Sequence, residues 1–170
     1  MPPILRTSIV FLASGAGVGF SPWMPGTLGT LVGLPVSLAL NRLWLVNGQV
    51  AVAALGSLII VGIIVAHQAA RIFGIKDPQV VVIDEIAGFA LANFLSDTIA
   101  TVITAFFLFR FFDIAKVFPG KRLEALPGGA GIVLDDVLAG LYTLIFLRLL
   151  SWAGPFYWWH NKCRYDFTRS

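Results

Sequence analysis

Four of the nine carboxylates in this 170-residue chain stand as two adjacent pairs inside otherwise apolar sequence. Asp84-Glu85 follows Val82 and Ile83, and Asp135-Asp136 follows Val133 and Leu134. An ionisable residue within a membrane segment costs at least roughly 2.5–3.5 kcal/mol on insertion scales, so two such pairs call for a compensating partner. A hard divalent cation supplies one: Mg2+ takes oxygen ligands and is commonly held by one or two carboxylates together with phosphate oxygens. A plainer account makes each pair an ordinary helix start, exposed at the interface and stabilised by the macrodipole. That account covers one pair more easily than two pairs and a further acid, Asp113. Asp113 lies three residues after Arg110 and three before Lys116, which on a helix puts all three on one face. The row is either a surface ion-pair ladder or another carboxylate beside two cations aimed at a phosphate.

Other polar groups accompany the acids. A proline and glycine loop over residues 19–30 runs into an apolar helix, and Thr27 and Thr30 at that helix start would offer hydroxyls and free backbone N–H groups to an anion. Such loops often only connect. The run Gly128-Gly129-Ala130-Gly131, just ahead of Asp135-Asp136, is open to the same two readings. His67 is a base, a ligand or a helix-dipole partner, and Asp77 is near enough in sequence to join the Asp84 pair.

The elements that must position these residues are membrane helices. The chain is 58% hydrophobic and only 12% charged, against about 25% charged in ordinary globular domains, and its mean hydropathy is +0.86. Apolar runs at 28–46 and 50–66 have the length of bilayer-crossing helices. A third region, 86–112, is split by Ser96 and Asp97 into segments 86–95 and 98–112, which reads as a shallow helical hairpin; the last helix covers roughly 132–151. The fold class expected is therefore all-α, a polytopic membrane helical bundle with about four crossing or re-entrant segments in a single domain over 1–170. The stretch 67–79 reads as a water-facing connection. Counting crossings places the N-terminal segment and the 67–85 and 113–131 connections on one side. Those segments hold Arg6, Arg71, Lys76, Lys116, Lys121 and Arg122, so the positive-inside rule assigns that side to the cytoplasm. The tail argues against it, since Lys162, Arg164 and Arg169 fall opposite; its Phe156, Tyr157, Trp158 and Trp159 form an interfacial belt in either case. No cleaved signal peptide is expected around the single early basic residue, Arg6. A net charge of +3 is too sparse for a nucleic-acid footprint and fits an anionic membrane or substrate better. One cysteine, Cys163, excludes an internal disulfide and a multi-cysteine zinc site. No long internal repeat is present. The echo between residues 84–88 (DEIAG) and 136–140 (DVLAG) reads as two short helix starts.

Taken in order, the stretches GVGFSPWMPGTLGT (17–30), HQAARIFGIKDPQVVVIDEIAGF (67–89), FRFFDIAK (109–116) and GGAGIVLDDVLAG (128–140) resemble the phosphatidylglycerophosphatase A family, over about residues 15–145. The resemblance implies an all-helical, Mg2+-dependent hydrolase of the bacterial inner membrane that converts phosphatidylglycerophosphate to phosphatidylglycerol and inorganic phosphate; the partners expected are the phospholipid substrate and the membrane, and no protein partner is predicted. The chain departs from the family pattern after Lys116, where Val117-Phe118-Pro119-Gly120 replaces Pro-aromatic-Pro-Ile; altered loop stiffness is expected there before lost chemistry. Hydrolysing a phosphate monoester is mainly a problem of charge. On that basis Asp84, Glu85, Asp135 and Asp136 are expected to hold Mg2+, Lys116 and Arg110 to bind phosphate with Thr27 and Thr30 nearby, and Asp113 to orient or deprotonate water. An aspartyl-phosphate intermediate is an open alternative. The rival from another class is a small transporter or channel with the acids as its ion path, which predicts acids spread in depth along several helices.

Overall fold

The computed structural model describes residues 1–96 and 98–152. Asp97, the aromatic cluster at 156–159, Cys163 and the tail cations Lys162, Arg164 and Arg169 lie outside the described residues. Among those described, seven α-helices and no strands form: α1 (Pro3–Ala13), α2 (Pro25–Val46), α3 (Gly48–Phe73), α4 (Ile83–Ala92), α5 (Ile99–Ala115), α6 (Gly120–Glu124) and α7 (Gly129–Trp152). Helices α2, α3 and α7 are long and apolar enough to cross a membrane.

The helix bounds differ from the apolar runs for local reasons. Helix α2 starts three residues before Leu28, because Pro25 fits the first helical position, where a missing N–H costs nothing. The Asn47 side chain accepts hydrogen bonds from the backbone N–H groups of Gln49 (3.1 Å) and Val50 (3.2 Å) and so caps α3. The polar stretch from His67 was expected to be a loop, but α3 continues to Phe73 and stops at Gly74, whose φ is +68°. Polarity there marks the exit from the apolar layer, and nothing before Gly74 breaks a helix. A reciprocal capping box between Thr98 and Thr101 starts α5. Helix α1, read in the sequence only as an interrupted apolar run, packs Ile9 and Ala13 into the cluster formed by Val65, Ala66, Ala69, Val82 and Ile86.

Helix α4 is the axis of the bundle. At ten residues it is about 15 Å long, too short to cross a bilayer, and almost every residue in it is buried. It lies on a stripe of small residues on α2: a methyl on Gly29 would stand 2.7 Å from Val82 Cβ, one on Gly33 would stand 3.2 Å from Ile86 Cα, and Ser37 accepts a hydrogen bond from Asn93 Nδ2 at 2.8 Å. Small residues let backbones approach where no hydrophobic effect drives helices together.

The turn from α4 to α5 is held to the bundle by side chains. Asn41 Nδ2 donates to the carbonyls of Asn93 (2.9 Å) and Ser96 (3.1 Å), and its Oδ1 accepts from Leu95 N at 2.8 Å. Arg148 on α7 donates to Leu95 O at 2.6 Å. These contacts satisfy backbone groups that a buried helix end leaves unpaired. Helices α4 and α5 thus form the hairpin expected over 86–112, shifted to 83–115 and entering and leaving at one end of the bundle. That end also carries the start of α2, the end of α3, α6 and the start of α7, with Lys76 Nζ donating to Glu124 O at 3.1 Å across it.

Candidate metal and phosphate site

Two glycines set the geometry. A methyl on Gly88 would lie 2.7 Å from the backbone carbonyl oxygen of Asp136, and one on Gly140 would collide with the carbonyl of Gly88. The backbones of α4 and α7 therefore touch at Gly88 and Gly140. Asp84 and Asp136 each precede their glycine by four residues, one helical turn. The echo of Asp84–Gly88 by Asp136–Gly140 is accordingly the crossing itself, not two unrelated helix starts. Spaced this way, the two acids are carried to the same side of the contact.

Asp84, Glu85 and Asp136 form the resulting cluster, each offering a carboxylate oxygen within 4.8 Å of the others. Asp84 and Asp136 are buried and Glu85 is half-buried. Asp84 Oδ1 and Glu85 Oε2 have no hydrogen-bond partner. Three carboxylates held together at this burial repel one another and have lost hydration, which costs several kcal/mol per ion unless a cation is present. An all-oxygen donor set with unsatisfied oxygens turned inward is what a hard divalent cation requires, so these residues fit Mg2+.

Of the four acids expected to hold the metal, Asp135 lies outside this close trio. Its Oδ2 lies 3.5 Å from Lys116 Nζ, and its Oδ1, like Asp84 Oδ1 and Glu85 Oε2, is buried without a hydrogen-bond partner. Consecutive helical residues are about 100° apart, and on α7 it is Asp136 that stands at the Gly88 contact, while Asp135 reaches Lys116. Nor do Asp135 and Asp136 stand in the first turn of their helix: α7 begins at Gly129, two turns earlier, so the macrodipole account does not reach them. Asp84 and Glu85 do stand in the first turn of α4.

Around the cluster lie the cations. Arg110 Nη1 is 2.8 Å from Asp113 Oδ2, the i,i+3 pair expected on α5. Asp113 faces Asp136 and Glu85. Lys116 leaves the α5 face: it caps the helix with φ +44°, and its ammonium sits 2.9 Å from Glu124 Oε2 as well as against Asp135. Burial draws the Lys116 pKa down, but the Glu124 hydrogen bond and the charges of Asp135 and Glu124 outweigh it and hold the pKa above its ordinary value. Lys116 is a permanent cation here. The first turn of α2 closes the site, since Gly26 lies so near Glu85 Oε1 and the Arg110 guanidinium that a Cβ would collide with the carboxylate. Thr27 is half-buried in that turn. Thr30 is fully buried and donates its hydroxyl to Gly26 O at 2.9 Å, so it turns no hydroxyl toward an anion. The Gly128–Gly131 run is neither anion loop nor flexible connection: Gly128 and Gly129 pack on His67 and the Ile63 carbonyl of α3.

Asp84, Glu85, Asp113, Asp136, Arg110 and, one step out, Lys116 with Asp135 are thus gathered at one end of the bundle. Glu124, Gly26, Gly88 and Gly140 belong to the same assembly and were not singled out from sequence. The glycine spacing after each acid was the signal for the last two; no local pattern marks Glu124. Among the described residues the acids are concentrated at one end rather than strung along the bundle, against the arrangement a transport path predicts.

A family model described as phosphatidylglycerophosphatase A matches residues 11–151. A Bacteroides thetaiotaomicron protein, whose name gives phosphatidylinositol-3-phosphatase as a provisional assignment, is 36% identical over 155 residues, covering 85% of this chain and 94% of the relative. Proteins named phosphatidylglycerophosphatase A from Haemophilus influenzae (35% identical, covering 87% of this chain and 91% of the relative) and Escherichia coli (34%, covering 85% and 84%) are also similar to it. No solved structure matches the chain.

Proposed function

We propose, from the premise that this chain belongs to the phosphatidylglycerophosphatase A family and is a phosphoric monoester hydrolase, that it removes the terminal phosphate of phosphatidylglycerophosphate in a Mg2+-dependent reaction within phospholipid biosynthesis. The observation that carries this reading is the trio of buried Asp84 and Asp136 and half-buried Glu85, with ligand oxygens within 4.8 Å of one another and cations on its flank. Bound there, Mg2+ would neutralise the phosphoryl oxygens as a Lewis acid. The protein supplies the rest. Lys116, kept charged by Glu124 and Asp135, takes a phosphate oxygen. Asp113, fixed by Arg110, orients the attacking water and accepts its proton as the new P–O bond forms, and the proton passes on to the departing glycerol oxygen, which leaves as the hydroxyl of phosphatidylglycerol when the ester P–O bond breaks. Arg110, close to Gly26, is placed to meet an oxygen of the incoming phosphate.

The chain is a bacterial membrane protein by its spanning helices and its bacterial relatives. We assign it to the inner membrane with the site at the cytoplasmic face. Support comes from Lys76, Lys116, Lys121 and Arg122 at the site end, against Arg42 and Arg148 toward the other among the described residues. Phosphate release by detergent-purified, full-length protein tests the substrate, with phosphatidylglycerophosphate, phosphatidylinositol 3-phosphate and phosphatidic acid offered in parallel. Preferential release from phosphatidylglycerophosphate is expected. Preference for the inositol lipid would transfer the assignment to the activity named for the Bacteroides relative.

A further inference from the structure

We propose that Arg122 binds the phosphodiester of a glycerophospholipid whose terminal phosphate lies at Lys116, and so selects substrates with two phosphates over those with one. The inference rests on the reading of the site as a lipid phosphatase and goes beyond it in naming what distinguishes the substrate. A lipid phosphate monoester with a headgroup carries a second, inner phosphate that stays on the product. Near the membrane that diester needs a cation of its own.

A small crevice between α5 and α7 borders the site. Asp113, Lys116 and Asp135 line it together with Phe112, Leu138 and Tyr142, so charge and apolar surface meet in one opening. Two residues after Lys116, Phe118 stands 69% exposed. Its carbonyl accepts the Tyr142 hydroxyl at 2.6 Å, which ties this segment to α7 at the crevice rim. Arg122 Cζ lies 4.8 Å over the Phe118 ring. Among the described residues, Arg122 forms no ion pair, whereas Arg110 and Lys116 are each matched to carboxylates and Lys76 is engaged by Glu124 O. A guanidinium lying against an aromatic face keeps its charge and leaves its N–H edge free for bidentate contact with phosphate. Phe118 thus holds Arg122 at the rim at little conformational cost, on the segment that follows Lys116. An anchoring role toward anionic lipid in general would require the same charge but no substrate discrimination.

The test uses full-length R122Q and R122K in neutral-detergent mixed micelles, with phosphatidylglycerophosphate and phosphatidic acid of matched acyl chains. For R122Q, KM for the two-phosphate lipid rises about tenfold with kcat within about twofold, KM for phosphatidic acid stays at the wild-type value, and R122K recovers part of the loss. Unchanged turnover of phosphatidic acid doubles as the proof of fold. Equal effects on both lipids, no effect on either, or an effect seen only when anionic lipid is added to the micelles would each overturn the proposal. Wild-type protein inactive on phosphatidylglycerophosphate but active on phosphatidylinositol 3-phosphate would refute the substrate named above and leave Arg122 to be read on the inositol lipid, which also carries a diester.

Discussion

Replacing Gly88 with alanine should disable the enzyme without unfolding it. The new methyl would stand 2.7 Å from Asp136 O and 2.9 Å from Phe109 Cε2, where ordinary contacts begin at 3.4 Å. A backbone carbonyl cannot swing aside, and Phe109 is fully buried, so α4 and α7 must separate by about 0.7 Å at the crossing, a strain of the overpacking kind worth about 1–3 kcal/mol. That separation acts on Asp136 itself and one turn from Asp84, and so enlarges the trio. Since a misplacement of about 1 Å can cost roughly 100-fold, kcat for phosphate release should fall about 10- to 100-fold while the protein still inserts and elutes as a folded species. The control is Gly56 on α3, where a methyl meets nothing within 4 Å: G56A should keep full activity and gain up to about 1 kcal/mol of helix propensity. The assay is initial-rate phosphate release alongside thermal unfolding of both variants. G88A with wild-type kcat would refute the claim that the glycine crossing sets the metal geometry.

Changing Asp84 or Asp136 to asparagine removes a proposed charged ligand and should lower turnover by at least about 100-fold. Unfolding scans would show Mg2+ stabilising the wild type, by about 2.7 kcal/mol at 100 times its dissociation constant, and neither variant. Lys116→Met keeps the stem but loses the cation, so kcat should drop about 100- to 1,000-fold with Mg2+ stabilisation retained, separating phosphate binding from metal binding. Asn41→Ala strips three hydrogen bonds from the α4–α5 turn; a loss of about 1–3 kcal/mol in denaturant titration is expected, with kcat per folded molecule unchanged.

Much of this arrangement was legible in the residues, because lipid as solvent makes hydropathy a strong signal. The runs at 28–46, 50–66 and 132–151 became α2, α3 and α7, and the Ser96 interruption became the hairpin turn. Their ends were less legible: Pro25 and Gly74 bound helices by backbone preference, while the apolar pattern records only where lipid ends. Asp84, Glu85 and Asp136 stood out as costly acids in apolar sequence, and only the glycine four residues on, Gly88 or Gly140, told Asp136 from Asp135. Which of the two faces α4 depends on the register of the Gly88–Gly140 crossing, a contact between segments 52 positions apart. Thr30 was a natural anion donor by its place near a helix start, but its hydroxyl found the carbonyl one turn back, as threonines within helices often do. Glu124 belongs to the site only because α6 folds back over Lys116.

The most direct measurement is phosphate release from phosphatidylglycerophosphate by the purified, detergent-solubilised protein in Mg2+, in excess EDTA, and after Mg2+ is restored. The account predicts turnover in Mg2+, its loss in EDTA, and its recovery on readdition. Full turnover in EDTA by folded protein would contradict it, because the trio of carboxylates would then have no role in the chemistry.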